Sequence, residues 1–273
     1  MEYIDFHTHI FPDKIARQAI DRLAEESGEY VPRTDGTLKG LIASMDQAAI
    51  ALSVVANIAT KPGQMLPIFD FCRHIAGRRI APLISVHPDN TMADVNALFI
   101  QAAEFGIRGV KLHPMYQGFF IDDRKMYPLY QLIEHFGFFV IFHTGYDIAF
   151  PGNAQADVER VRAVANEFKE LTIVTTHVGG WRQWDRAGIL GSCDNVYTET
   201  SMTLTEQTDE EFVRMVSQFA EDRVLFGSDS PWTDQTEMLE RTLGLSLSES
   251  RKEKMLYQNA RDLLGLGELI LSV

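Results

Sequence analysis

Eight short apolar or β-branched runs alternate with amphipathic helical stretches, and that alternation leaves few folds open to this chain. The runs span residues 3–9, 52–58, 80–87, 109–113, 138–144, 171–177, 196–201 and 224–228. Between them, residues 93–105 repeat Val95, Leu98, Phe99 and Ala102 at the spacing of one helix face. Residues 127–136, 157–168 and 210–219 show the same pattern with Leu129, Leu132 and Ile133, with Val158, Val161, Ala165 and Phe168, and with Phe212, Val213, Val216 and Phe219. Strand–helix repetition with parallel crossovers implies an α/β fold. A count of eight implies closure into a (β/α)8 TIM barrel, which carries its chemistry at the C-terminal ends of the strands.

The length of 273 residues suits one such barrel of about 250 residues. No Pro/Ser-rich linker, repeat or low-complexity tract divides the chain, so residues 1–273 read as a single domain. The longest poorly patterned stretch, 25–40, follows the first strand and is a candidate lid segment. Residues 256–265 read as a docked helix with a glycine stop. A formal net charge of -13 argues against nucleic acid and anionic membrane surfaces as partners. Cys72 and Cys193 form no CxxC, which suggests a reducing compartment without a disulfide framework. The N-terminus is acidic from Glu2 and reads as a strand rather than a signal peptide, and no run approaches a membrane span. The expected location is the cytoplasm, and the expected partner is a small molecule.

Charged and imidazole side chains gather where the runs end. His7 and His9 are separated by one residue, so on a strand both face one side, with Asp5 one step deeper. His143 and His177 each end an apolar run just before glycine, in His-Thr-Gly and His-Val-Gly-Gly. Asp229 sits in Gly-Ser-Asp-Ser-Pro at the end of the last run. Imidazole nitrogen and carboxylate oxygen are the donors a borderline cation such as zinc takes. The plainer alternatives are hydrogen-bonded core histidines and, for Asp229, a cap for the following helix. Lys111 and His113 alternate at the end of the fourth run and face one side. Lysine is rarely buried without a partner, so Lys111 is expected to meet a carboxylate of the substrate or of the protein. His87 ends the third run and is a weaker pocket candidate, while His74 and His135 fall in helical stretches. The loops after the strands carry Tyr116, Phe119, Tyr146, Trp181, Trp184 and Trp232, which suit a planar or apolar substrate and equally a homodimer interface. Arg182, next to Trp181, is a candidate clamp for a substrate carboxylate.

These motifs, in this order, resemble the amidohydrolase superfamily: His-x-His on strand one, Lys-Leu-His-Pro on strand four, histidines on strands five and six, Gly-Ser-Asp-x-Pro on strand eight. Within it the chain is most similar to the amidohydrolase-2 branch, which includes aminocarboxymuconate-semialdehyde decarboxylase and resorcylate-type decarboxylases. The resemblance runs from residue 4 to about residue 265 and includes the closing Tyr-Gln-Asn-Ala-Arg-Asp-Leu-Leu, residues 257–264. It implies that His7, His9, His143 and Asp229 hold a divalent metal and that His177 is the catalytic histidine. One metal per chain and an unmodified Lys111 are expected. A second metal would enlist His177 and a carboxylated Lys111.

The expected activity is hydrolysis of a small ester, lactone or amide by a metal-activated water, with zinc as the metal, Asp229 orienting or deprotonating the water and His177 stabilising oxyanion charge or moving a proton. Lys111, His113, Tyr146, Trp181 and Arg182 are the expected substrate contacts. The alternative is non-oxidative decarboxylation of an aromatic or unsaturated carboxylate, which Arg182 and the aromatic loops favour because a decarboxylase must hold a carboxylate. A third reading is a binding protein on a barrel that has lost its activity, which the intact histidine–aspartate set argues against.

Overall fold

The computed structural model describes residues 2–28 and 30–267. Eight strands alternate with helices: β1 Tyr3–Thr8, β2 Ile50–Ala56, β3 Ile80–Leu83, β4 Gly109–Leu112, β5 Phe139–Phe142, β6 Thr172–Thr175, β7 Val196–Glu199 and β8 Val224–Leu225. Every expected run overlaps a strand, and β2 begins two residues before its run. The ladders of β3 to β8 stop one to four residues before the expected ends, and His143, His177 and Asp229 follow the strands rather than closing them. Backbone conformation explains two of these exits. His177 (φ 58°), Val178 (φ 51°) and Asp229 (φ 70°) lie in the left-handed region, which no strand ladder accommodates.

Helix limits follow local chemistry. Helix Met92–Phe105 starts where the Thr91 side chain accepts from the Asp94 amide, ends at Gly106 (φ 92°), and buries Val95, Leu98, Phe99 and Ala102. Helix Asp209–Val216 opens with a reciprocal capping box between Thr208 and Glu211. The closing helical run ends at Leu263, with Gly265 left-handed at φ 65°. No helix among the described residues is long and apolar enough to cross a membrane.

The chain forms two compact units, both discontinuous in sequence. The first comprises Met1–Val55, Ala76–Ala81 and Glu199–Val273. In it β1 pairs in parallel with β2, Ile4 opposite Leu52 and Asp5 opposite Ser53. On its other side β1 is joined to the segment after β8, where the Phe6 amide donates to Phe226 O at 2.7 Å and Thr8 bridges Ser230. The stretch 25–40, expected as a lid, is partly helical. Helix Asp13–Ser27 stops at Gly28, and Thr37 caps helix Leu38–Ala48. The irregular part is tied down at two points: Phe11 N donates to Gly36 O at 2.8 Å and Arg33 N to Pro231 O at 2.7 Å. Glu29 lies outside the described residues.

The second unit comprises Ala56–Ile75 and Pro82–Thr198. Ile84, just past β3, bridges Val110 of β4, and β4, β5, β6 and β7 follow as parallel neighbours in that order. Val140, Ile141 and Phe142 of β5 and Ile173 and Val174 of β6 are fully buried. Such continuous apolar strands are what a parallel sheet covered on both faces requires. Cys72 and Cys193 are both free thiols.

Candidate metal centre

In the first unit three donor atoms converge. His7 Nε2 lies 3.0 Å from His9 Nε2 and 3.7 Å from Asp229 Oδ1, and His9 Nε2 lies 3.1 Å from Asp229 Oδ1. A cation with metal–ligand bonds of about 2.1 Å holds neighbouring ligand atoms roughly 3.0–3.5 Å apart at tetrahedral or octahedral angles. Two of the three separations, 3.0 and 3.1 Å, fall in that range, and the third, 3.7 Å, lies just above it. A nitrogen-rich, partly anionic donor set with His7 and Asp229 buried therefore fits a divalent cation.

The surroundings fix how each donor points. Asp229 N donates to His7 O at 2.8 Å and His9 N donates to Ser230 O at 2.7 Å, so backbone bonds hold the His-x-His segment against the aspartate loop. His7 Nδ1 lies 2.9 Å from Glu199 Oε1, and an ionised carboxylate can only accept, an arrangement that would leave Nε2 with its lone pair. Below the centre, the fully buried Asp5 accepts from His7 N (3.1 Å), Ser228 N (2.9 Å), Ser228 Oγ (2.5 Å) and Gln235 Nε2 (2.7 Å). Burial pushes its carboxyl up to about 6 in spite of these donors, which each pull it down. Asp229 is not a helix cap. The helix after it, Gln235–Gly244, is capped by Asp234, whose side chain accepts from Glu237 N.

In the second unit His113, His143, Asp147 and His177 form another array. His113 and His143 stack with centroids 4.2 Å apart and planes at 16°, and both approach Asp147 Oδ2, at 3.3 and 3.6 Å. His143 Nε2 lies 2.9 Å from the Tyr146 carbonyl, which only accepts, so Nε2 carries the proton and Nδ1 the lone pair. His177 Nε2 faces that Nδ1 at 3.4 Å. Burial, then the neighbouring positive charges of His113, His177 and Lys111, hold the His143 imidazole well below its usual value. Burial would raise Asp147, but the His113 hydrogen bond and charge, the Ala149 amide and the His177 charge together outweigh it and leave the carboxyl below its usual range. His113, His143 and Asp147 offer ligand atoms that all lie within 4.8 Å of one another, a second group able to hold a metal ion.

The remaining expected residues fall in the second unit as well. Lys111 is buried on β4. Tyr146 N donates to Trp181 O and Trp181 N to Thr144 O, both at 2.9 Å, which pins the loop after β5 to the loop after β6. Trp181 is buried, while Arg182 is exposed with its guanidinium 5.5 Å from the Trp181 ring centroid. The expected fourth ligand, His143, thus has as its neighbours His113, Asp147 and His177. Two residues escaped the sequence reading. Glu199 ends β7 and Asp147 lies four residues past His143, so a search for every ionisable group at or just past a strand end would have found both.

A family model described as amidohydrolase matches residues 4–266. The chain belongs to the amidohydrolase-2 family. Among solved structures, this amidohydrolase is similar to a TIM-barrel protein of unassigned function from Bordetella bronchiseptica, with 23% identity and a TM-score of 0.80 over 97% of this chain and 99% of that one. It is also similar to a 2,6-dihydroxybenzoate decarboxylase solved with 2,6-dihydroxybenzoate, with 13% identity and a TM-score of 0.72 over 97% of this chain and 100% of that one. A dihydroxybenzoic acid decarboxylase from Polaromonas sp. JS666, holding manganese and 2-nitroresorcinol, shows 14% identity and a TM-score of 0.73 over 100% of this chain and 99% of that one. At these identities the likeness establishes the fold alone, a TIM-barrel fold of eight strands alternating with helices. A comparison with curated protein sequences finds no match.

Proposed function

We propose that this amidohydrolase is a metal-dependent, non-oxidative decarboxylase of a small aromatic or unsaturated carboxylate. The observation that carries the reading is the convergence of His7 Nε2, His9 Nε2 and Asp229 Oδ1 in a fold shared with decarboxylases of hydroxylated benzoates. These neighbours favour the lyase reading over the hydrolysis expected first. His7, His9 and Asp229 would hold the cation, and the two imidazoles among three donors favour zinc. For His143 the ligand role rests on the family pattern, and its own geometry adds that Nδ1 is the nitrogen with the lone pair. When bound, the cation supplies Lewis acidity that polarises a substrate oxygen.

Loss of CO₂ leaves an electron pair on carbon, and a proton must be delivered there. His177, buried on a strained turn and facing a neutral imidazole, is the group we assign to hold and transfer that proton. Asp229 would orient the reacting groups. Arg182, stacked on Trp181, is suited to bind a carboxylate and a planar ring together. Lys111, His113 and Tyr146 are assigned to substrate binding.

The test is turnover of zinc- and manganese-loaded protein on a panel of hydroxybenzoates, lactones and esters, with headspace CO₂ and product mass recorded. A product one carbon shorter, free of oxygen from labelled water, supports the decarboxylase. Hydrolysis remains the second reading because the matching family is described as amidohydrolase. Solvent oxygen in the product, with no CO₂ released, would establish it instead.

A further inference from the structure

We propose that Glu199 is the positioning residue of the metal centre: it fixes the tautomer of His7 and thereby sets the affinity for the cation. The inference rests on the metal-centre reading and deepens it. Glu199 is completely buried and ends β7. Its Oε1 accepts from His7 Nδ1 at 2.9 Å and from Ser201 Oγ at 2.8 Å, and its Oε2 accepts from Ser201 N at 2.6 Å. The Ser201 hydroxyl also lies 3.2 Å from His7 Nδ1. With its proton directed to the carboxylate, that hydroxyl can only accept from the ring. The Glu199 and Ser201 contacts at Nδ1 therefore both favour a proton on Nδ1 and a lone pair on Nε2, the nitrogen that faces His9 and Asp229.

The sequence clears space for this arrangement. A Cβ at Gly227 would stand 2.3 Å from Glu199 Oε2 and 3.1 Å from His7 Cβ, so glycine is what allows the carboxylate to reach the imidazole. A neutral imidazole without such an acceptor is free to place its proton on Nε2, which blocks that nitrogen as a ligand. Carboxylates that hold a ligating histidine in this way are commonly worth about 10–100-fold in metal affinity.

The experiment uses the full chain and zinc alone. Histidine labelled with ¹⁵N reports the His7 tautomer in metal-free protein, and competition with a chromophoric chelator reports zinc affinity. The wild type should show a protonated Nδ1 and an unprotonated Nε2. E199A should shift His7 toward the Nε2-protonated form and lose about 10–100-fold in zinc affinity. E199Q, which keeps one acceptor oxygen, should hold the wild-type tautomer and lose less affinity than E199A. A purely structural role would lower the metal-free melting temperature without moving the tautomer. If E199A does not fold, the wild-type tautomer and E199Q still decide. An Nε2-protonated His7 in wild type, or equal zinc affinity in E199A and wild type, would overturn the role of Glu199 alone. Wild-type protein that takes up no zinc would defeat the metal-centre reading and this inference with it.

Discussion

The amide of Asp229 donates to the carbonyl of His7 at 2.8 Å. This one backbone bond joins the first strand to the loop after the last, and it sets the spacing of the side chains those residues carry. Together with the bond from His9 N to Ser230 O, it makes the donor spacing a property of the backbone, so the site is formed before any ligand arrives.

Replacing His7 and His9 together with alanine should bring bound divalent metal from about one per chain to background by elemental analysis. The double variant removes two of three convergent donors, and a lone carboxylate binds transition metals weakly. Full occupancy in that variant would place the metal elsewhere.

Asp229→Asn should lower kcat by at least about 100-fold while leaving the melting temperature near that of the wild type. Asn tolerates the left-handed backbone that Asp229 adopts at φ 70°, so the loop should survive while the anionic donor is lost. Wild-type turnover on an authentic substrate would remove Asp229 from the mechanism.

Asp5→Ala should destabilise the fold by at least about 3 kcal/mol in urea titrations, because four buried donors lose their acceptor at once. Asp5→Asn keeps one acceptor oxygen and should cost less. A loss under about 1 kcal/mol for the alanine variant would mean that water or a rearrangement replaces the carboxylate.

Gly227→Ala should lower both stability and zinc affinity, since the added methyl meets the Glu199 carboxylate. Thermal melting with and without zinc separates the two effects. Unchanged affinity would show that the carboxylate can shift without cost.

For Arg182, exposed and stacked on Trp181, alanine should raise KM about tenfold or more for a carboxylate substrate and change kcat far less. Lysine should restore little, because it lacks the planar, stacking fork of arginine. An equal fall in kcat with KM unchanged would move Arg182 from binding to chemistry.

Much of the architecture was legible in the chain itself. The spacing of Val95, Leu98, Phe99 and Ala102 gave a helix that buries those four residues, because one helix face repeats over three to four residues. His7 and His9 share a face because strand side chains alternate, and their Nε2 atoms meet at 3.0 Å. What the chain could not reveal depends on contacts between distant segments. Glu199 reads as an ordinary strand-end acid until the fold sets it against His7 Nδ1. Asp5 reads only as a carboxylate one step deeper on the His7 face until Ser228 and Gln235 enclose it. Strand ends were overrun because apolar pattern does not report φ, and the left-handed turns at His177 and Asp229 are held by their surroundings. Local periodicity thus determined the order and kind of elements, since it depends on neighbours a few residues apart. Only the tertiary structure bears on which nitrogen of His7 and of His143 carries its proton, since that depends on the atoms placed opposite each ring.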